Sequence, residues 1–162
     1  MKKKTQINYS KLGISIILCQ LAGLIGSIFT FPSVTAWYRT LIKPQFTPQP
    51  WVFAPVWTIL YLLMGIALYL VWQTKFKKSE VKTAINLFAI QLTLNVTWSF
   101  LFFGQHNPFY GLIDIIPLAI AIIATIIQFN KINRNAALLM LPYLAWVLFA
   151  SYLNYSIWML NP

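Results

Sequence analysis

Few residues in this chain could do chemistry on their own. Its 162 residues hold one histidine (His106), one cysteine (Cys19) and two acids (Glu80 and Asp114). A zinc or iron site draws three or four ligands from such residues, and these are too few and too scattered to supply one. Cys19 has no partner for a disulfide. Acid–base chemistry needs a second carboxylate or a paired histidine, covalent chemistry needs a nucleophile beside a base, and phosphate chemistry needs a glycine-rich loop. None is visible. What the chain has in quantity is aromatic surface: seven Trp, eight Tyr and twelve Phe. No catalytic residue and no obligatory cofactor is expected, so any reaction would come from a bound ligand or from redox-active tryptophan and tyrosine.

The spacing of the aromatic and amide residues is helical. Gln91, Asn95, Trp98 and Phe102 are offset by 0, 4, 7 and 11 residues, which at about 100° per residue keeps them within about 60° of arc. Buried amides in lipid are costly without partners, so this stripe is expected to face other helices, either as interhelical glue or as a ligand-contacting face. Pro142, Trp146, Ala150, Asn154 and Trp158 recur at four-residue spacing, and Trp57, Tyr61 and Gly65 do the same. Such stripes pack helices, or together line a cavity fitted to a large planar molecule. Asp114 is the only formal charge inside an apolar run. The expectation for it is a structural role, capping a helix end or pairing with Arg39, Lys43 or an amide.

The elements that must position these residues follow from composition. Hydrophobic residues make up 59% of the chain and charged residues 9%, against about 25% charged in a soluble domain. Five apolar runs, about 12–31, 51–72, 84–104, 110–129 and 136–158, are each long enough to span a bilayer as helix, and none alternates as a barrel strand does. The fold class expected is all-α, an integral membrane bundle of five transmembrane helices forming a single domain over 1–162. The first run has a basic start and a cleavage-like Val34-Thr35-Ala36, but it is too long for a signal core and is expected to remain as a helix.

The net charge of +10 does not imply nucleic acid, because the basic residues fall in groups between apolar runs rather than along one face. Ten sit at the N-terminus, the second loop and the fourth loop; two, Arg39 and Lys43, sit in the first. By the positive-inside rule the N-terminus is expected in the cytoplasm and the C-terminus outside. The first loop, 32–50, carries Pro44, Pro48 and Pro50 with Trp37, Tyr38 and Phe46, and reads as a stiff aromatic lid over the outer end.

These residues resemble the translocator protein family, also called the tryptophan-rich sensory or peripheral-type benzodiazepine receptor family. WYRTLIKPQFTPQPWVFAPVWTILYLLMG at 37–65 is similar to its first loop and second helix, QLTLNVTWSFLFFG at 91–104 and GLIDI at 111–115 to its third and fourth helices, and LPYLAWVLFASYLNYSIWMLN at 141–161 to its fifth. The first helix matches in character only. The loop departs from the family pattern at Phe46, where Trp is usual, and at Gln49, where a second proline is expected. The family's animal-type cholesterol motif needs Lys or Arg after Tyr155, where this chain has Ile157, Trp158 and Met159.

The resemblance implies a homodimer that binds tetrapyrroles such as protoporphyrin IX or haem beneath the first loop. It implies a ligand-binding set of Trp37, Tyr38, Trp51, Phe53, Trp57, Asn95, Trp98, Trp146, Ala150 and Asn154. The expected function is a membrane receptor or sensor for porphyrins in a bacterial cytoplasmic membrane, with membrane lipid and a porphyrin or haem as partners and no nucleic acid. The alternatives are a light-dependent porphyrin-degrading enzyme and a transporter of tetrapyrroles or lipids.

Overall fold

The computed structural model describes residues 7–162, so Lys2, Lys3 and Lys4, on which part of the expected orientation rests, lie outside it. Five long helices are present: α1 (Tyr9–Thr35), α3 (Pro50–Trp72), α4 (Lys78–Ser99), α5 (Pro108–Ile132) and α6 (Arg134–Leu160). A one-turn helix, α2 (Trp37–Thr40), lies in the first loop. The five are long and apolar enough to cross a membrane, with α4 counted through its continuation to Gly104. No strand occurs among the described residues.

Local signals explain most boundaries. Asn8, Asn107 and Asn133 cap α1, α5 and α6, each accepting from a backbone N–H of the first turn, which satisfies donors that a helix start leaves unpaired. Pro50 and Pro108 stand at the first helical positions of α3 and α5, where a missing N–H costs nothing. Three ends differ most from expectation. α4 begins at Lys78, six residues before the expected 84. α1 runs through Pro32 to Thr35, because a proline so near the C-terminus removes only one of the last backbone bonds. α4 ends at Ser99 and continues as a π-helical turn, Phe100–Gly104, which widens the register beyond the even 100° steps assumed from sequence.

The helices close into a ring in which α1 packs on α3 and α4, α6 packs on α3 and α5, and α5 packs on α4. At Gly65 the backbones of α1 and α3 meet so closely that an added Cβ would lie 2.7 Å from Ile16 Cα; the small residue serves helix packing there. The larger core, with Met64, Phe88, Ile122, Phe129 and Met140 at its centre, fills the inside of the ring. A second cluster of Tyr38, Phe102, Phe103 and Ile157 fills the end nearest α2.

The first loop is structured. Asn161 donates from Nδ2 to the Ile42 carbonyl and accepts from the Ile42 N–H, both at 2.9 Å, and Phe46 stacks on Tyr152 at 5.3 Å. Lys43 Nζ donates to the carbonyls of Tyr38 and Leu41 at 2.7 and 2.9 Å and lies over the Tyr38 ring. Stiff proline segments tied to α6 in this way leave the loop little conformational entropy to lose.

Candidate functional site

A cleft of about 290 Å³ opens between α1, α3, α4 and α6. From α3 it takes Phe53, Trp57 and Tyr61, one side chain every four residues; from α4 and its π-helical continuation, Trp98, Ser99 and Phe103; from α6, Trp146 and Ala150. The fourth wall is α1, through Gln20, Gly23, Gly26 and Thr30. Leu24, Phe31, Ala54 and Thr58 also border it and are exposed, so the opening faces sideways between α1 and α3. Gln20 closes one end of that opening by donating from Nε2 to the Thr58 carbonyl at 3.1 Å.

The aromatic walls are held in place by each other and by amides behind them. Phe53 meets Trp146 edge-on at 6.2 Å, and Trp57 lies 5.5 Å from Tyr61. Trp98 stacks on Phe102 at 5.2 Å and meets Phe103 edge-on at 5.7 Å. Its indole N–H donates to Asn154 Oδ1 at 3.0 Å, and Asn154 Nδ2 donates to the Pro108 carbonyl at 2.6 Å. Deeper in the bundle the Tyr61 hydroxyl donates to Asn95 Oδ1, and Asn95 Nδ2 donates to the Tyr143 hydroxyl oxygen at 3.1 Å. Rings fixed from behind make a rigid apolar slot, and pre-organised surface loses least on binding a flat molecule.

Of the ten residues expected in a binding site, the structure brings five to the cleft: Phe53, Trp57, Trp98, Trp146 and Ala150. Asn95 and Asn154 stand behind it, their amides occupied by tyrosine, tryptophan and backbone. Trp37 and Tyr38 belong to the second cluster. Trp37 stacks on His106 at 4.8 Å, and Tyr38 is buried beside Phe103, where desolvation pushes its hydroxyl up to about 12. Trp51 is 74% exposed and points away, because it stands two residues, about 200°, from Phe53 on the same helix.

The α6 stripe also resolves into separate duties. Four-residue spacing drifts about 40° per step. Trp146 and Ala150 therefore face the cleft, Asn154 faces α4, and Trp158 reaches Phe109 of α5 at 5.3 Å. Asp114 neither caps nor pairs as expected: Asn107 is the cap of α5, and among the described residues Asp114 Oδ2 is buried without a hydrogen-bond partner.

The α1 wall was not visible from the tryptophan and asparagine stripes. Its signal was a cluster of small residues, Ala22, Gly23, Gly26 and Ser27, midway along α1. Phe103 was missed because the π-turn swings it inward beside Phe102.

Fold and cleft together define a helical membrane protein with an aromatic slot between four of its helices. Residues 15–159 match the TspO/MBR family. The chain is 49% identical over 151 residues to the tryptophan-rich protein TspO of Chlorobaculum tepidum, covering 93% of this chain and 96% of that one. It is 49% identical over 156 residues to the protein of the same name from Archaeoglobus fulgidus, covering 96% and 99%. It is 37% identical over 147 residues to the translocator protein of Bos taurus, covering 90% and 86%. The chain belongs to the TspO/MBR family. Membership fits a membrane sensor or receptor, and with five apolar helices it makes this an integral membrane protein.

Proposed function

We propose that this chain is a membrane receptor or sensor that binds porphyrin-type tetrapyrroles, protoporphyrin IX or haem, in the aromatic cleft. The observation that carries the reading is the convergence of Phe53, Trp57, Trp98, Phe103 and Trp146 from three helices on one slot, with Gly23, Gly26 and Ala150 leaving it room. A macrocycle is flat and apolar on both faces, so stacking and burial supply most of its affinity. At about 290 Å³ the cleft stands at the small end of ligand pockets, which run from about 300 to 1,000 Å³. The macrocycle therefore enters edge-first and leaves part of its rim in the opening between α1 and α3.

Propionates need a cation at the rim. Lys43 is engaged with its own loop, whereas Arg39 is exposed on α2, which makes Arg39 the candidate. The sole histidine stacks on Trp37 outside the slot, so haem would be held by its ring rather than through imidazole–iron bonding. The reading carries with it a homodimer in a bacterial cytoplasmic membrane with the N-terminus inside. Among the described residues, Lys11, Lys75, Lys77, Lys78, Lys82, Lys131 and Arg134 flank one end of the ring and only Arg39 and Lys43 the other, which supports that orientation.

Titrating protoporphyrin IX into the detergent-solubilised protein while following tryptophan emission tests the reading. Saturable quenching at micromolar or lower concentration is expected. A linear, unsaturated response would leave a bundle that only scaffolds partners.

A further inference from the structure

One tyrosine ring forms the deep wall of the cleft, and three neighbours hold it. The Tyr61 hydroxyl donates to Asn95 Oδ1, and Asn95 is itself only 1% exposed and tied on to Tyr143. One face of the ring leans on Trp57 at 5.5 Å and 30°. Its edge lies against Gly23 so closely that a Cβ there would fall 2.6 Å from Cε2 and 2.7 Å from Cδ2. Carbon atoms rest about 3.5–4.0 Å apart, so no side chain fits at Gly23 while the ring stays where it is. The ring has no cheap retreat. Turning away would leave the Asn95 acceptor unpaired in a low-dielectric interior, and moving forward would carry it towards Trp57 and into the slot.

We propose that Gly23 and Asn95 are specificity-determining positioning residues, which fix the Tyr61 ring and so set the depth to which a flat ligand enters. The inference rests on the reading of the cleft as a ligand site. Asn95 does not line the cleft, so it acts through Tyr61. Gly23 lines it but contributes by what it lacks. A methyl group at position 23 makes the slot shallower, and a four-pyrrole macrocycle then loses far more contact than a two-ring molecule small enough to fit in the space that remains.

The test compares protoporphyrin IX with quinoline, by calorimetry, on Gly23→Ala, Tyr61→Ala and the double variant. Gly23→Ala is expected to weaken protoporphyrin at least tenfold and quinoline less than threefold. In the Tyr61→Ala background, where no ring remains to be pushed, Gly23→Ala should change protoporphyrin affinity less than twofold. Tyr61→Phe, which keeps the wall but frees it from Asn95, should soften the Gly23→Ala defect. Equal losses for both ligands, or the same loss in both backgrounds, would overturn the proposal. If Gly23→Ala alone does not fold, the double variant should, and its failure to fold would count against the proposal equally. The difference that Gly23→Ala makes to the near-ultraviolet circular dichroism of the ligand-free protein reports on the Trp57–Tyr61 pair. The spectrum should change with Gly23→Ala and not when Tyr61 is already Ala. Should the wild type bind no porphyrin, the binding reading falls alone, and the dichroism still decides whether Gly23 positions Tyr61.

Discussion

Trp98 lines the cleft, and Asn154 holds its indole N–H from a neighbouring helix at 3.0 Å. The same asparagine reaches the Pro108 carbonyl at the start of α5, so one amide ties α4, α5 and α6 together behind the aromatic wall. Gly111 leaves the space for it, since a Cβ there would lie 2.8 Å from Asn154 Oδ1.

Asn154→Leu therefore strands the Trp98 indole N–H inside the bundle and removes the second bond to the Pro108 carbonyl, which keeps its place in the helix ladder. The orphaned donor costs about 1–3 kcal/mol, moderated in a membrane where the reference state finds other partners. The variant is expected to melt several degrees below wild type in a thermal-shift assay. Trp98→Phe, which removes the donor and keeps most of the ring, should cost less.

Gln91 presents the reverse case. It is 0% exposed, and among the described residues neither of its amide atoms has a hydrogen-bond partner. Gln91→Leu keeps the approximate volume and removes that desolvation cost. An increase in Tm of about 2–8 °C is expected, from about 1–2 kcal/mol at the 2–4 °C per kcal/mol usual for a chain of this size. A clear decrease would mean that the amide is satisfied in the native membrane state.

The place of His106 predicts how iron should matter. Its ring stacks on Trp37, and its Nε2 lies 3.1 Å from Ser33 Oγ, outside the cleft. Haem and protoporphyrin IX should accordingly bind within about tenfold of each other, a gap below 1.4 kcal/mol. His106→Ala should leave the absorption spectrum of bound haem unchanged. A spectral shift would place the histidine on the iron.

Much of this was legible in the sequence, for physical reasons that also mark where it stopped. The cost of burying an amide in lipid turned Asn95 and Asn154 inward as expected. It could not say that tyrosine, tryptophan and backbone would satisfy them instead of a ligand. Trp51 sits in the same family-like segment as Trp57, but the 3.6-residue turn of α3 cannot put Trp51 and Phe53 on one face. The α1 wall was hidden because glycines at 23 and 26 read equally as close helix packing, which is what Gly65 in fact serves. The π-turn after Ser99 has no counterpart in a pattern read at constant pitch, and Phe103 was lost with it.

Orientation can be read independently of any ligand. Cysteines introduced at Lys77 and at Gln45, in a Cys19→Ala background, should react with a membrane-impermeant maleimide from opposite sides. With the N-terminus inside, the position in the first loop is labelled in intact cells, and the position between α3 and α4 only after lysis.

The central claim is that one aromatic slot takes the tetrapyrrole, and the measurement closest to it is the protoporphyrin IX titration repeated on Trp57→Ala, Trp146→Ala and Trp51→Ala. Burial of a large aromatic side chain is worth about 1.5–3 kcal/mol, so the first two should weaken binding by about 10–100-fold. Trp51→Ala, which removes a ring of the same type outside the slot, should stay within about threefold of wild type, a difference of under 1 kcal/mol. Unchanged affinity in both the Trp57 and Trp146 variants, or a loss confined to Trp51→Ala, would contradict the account.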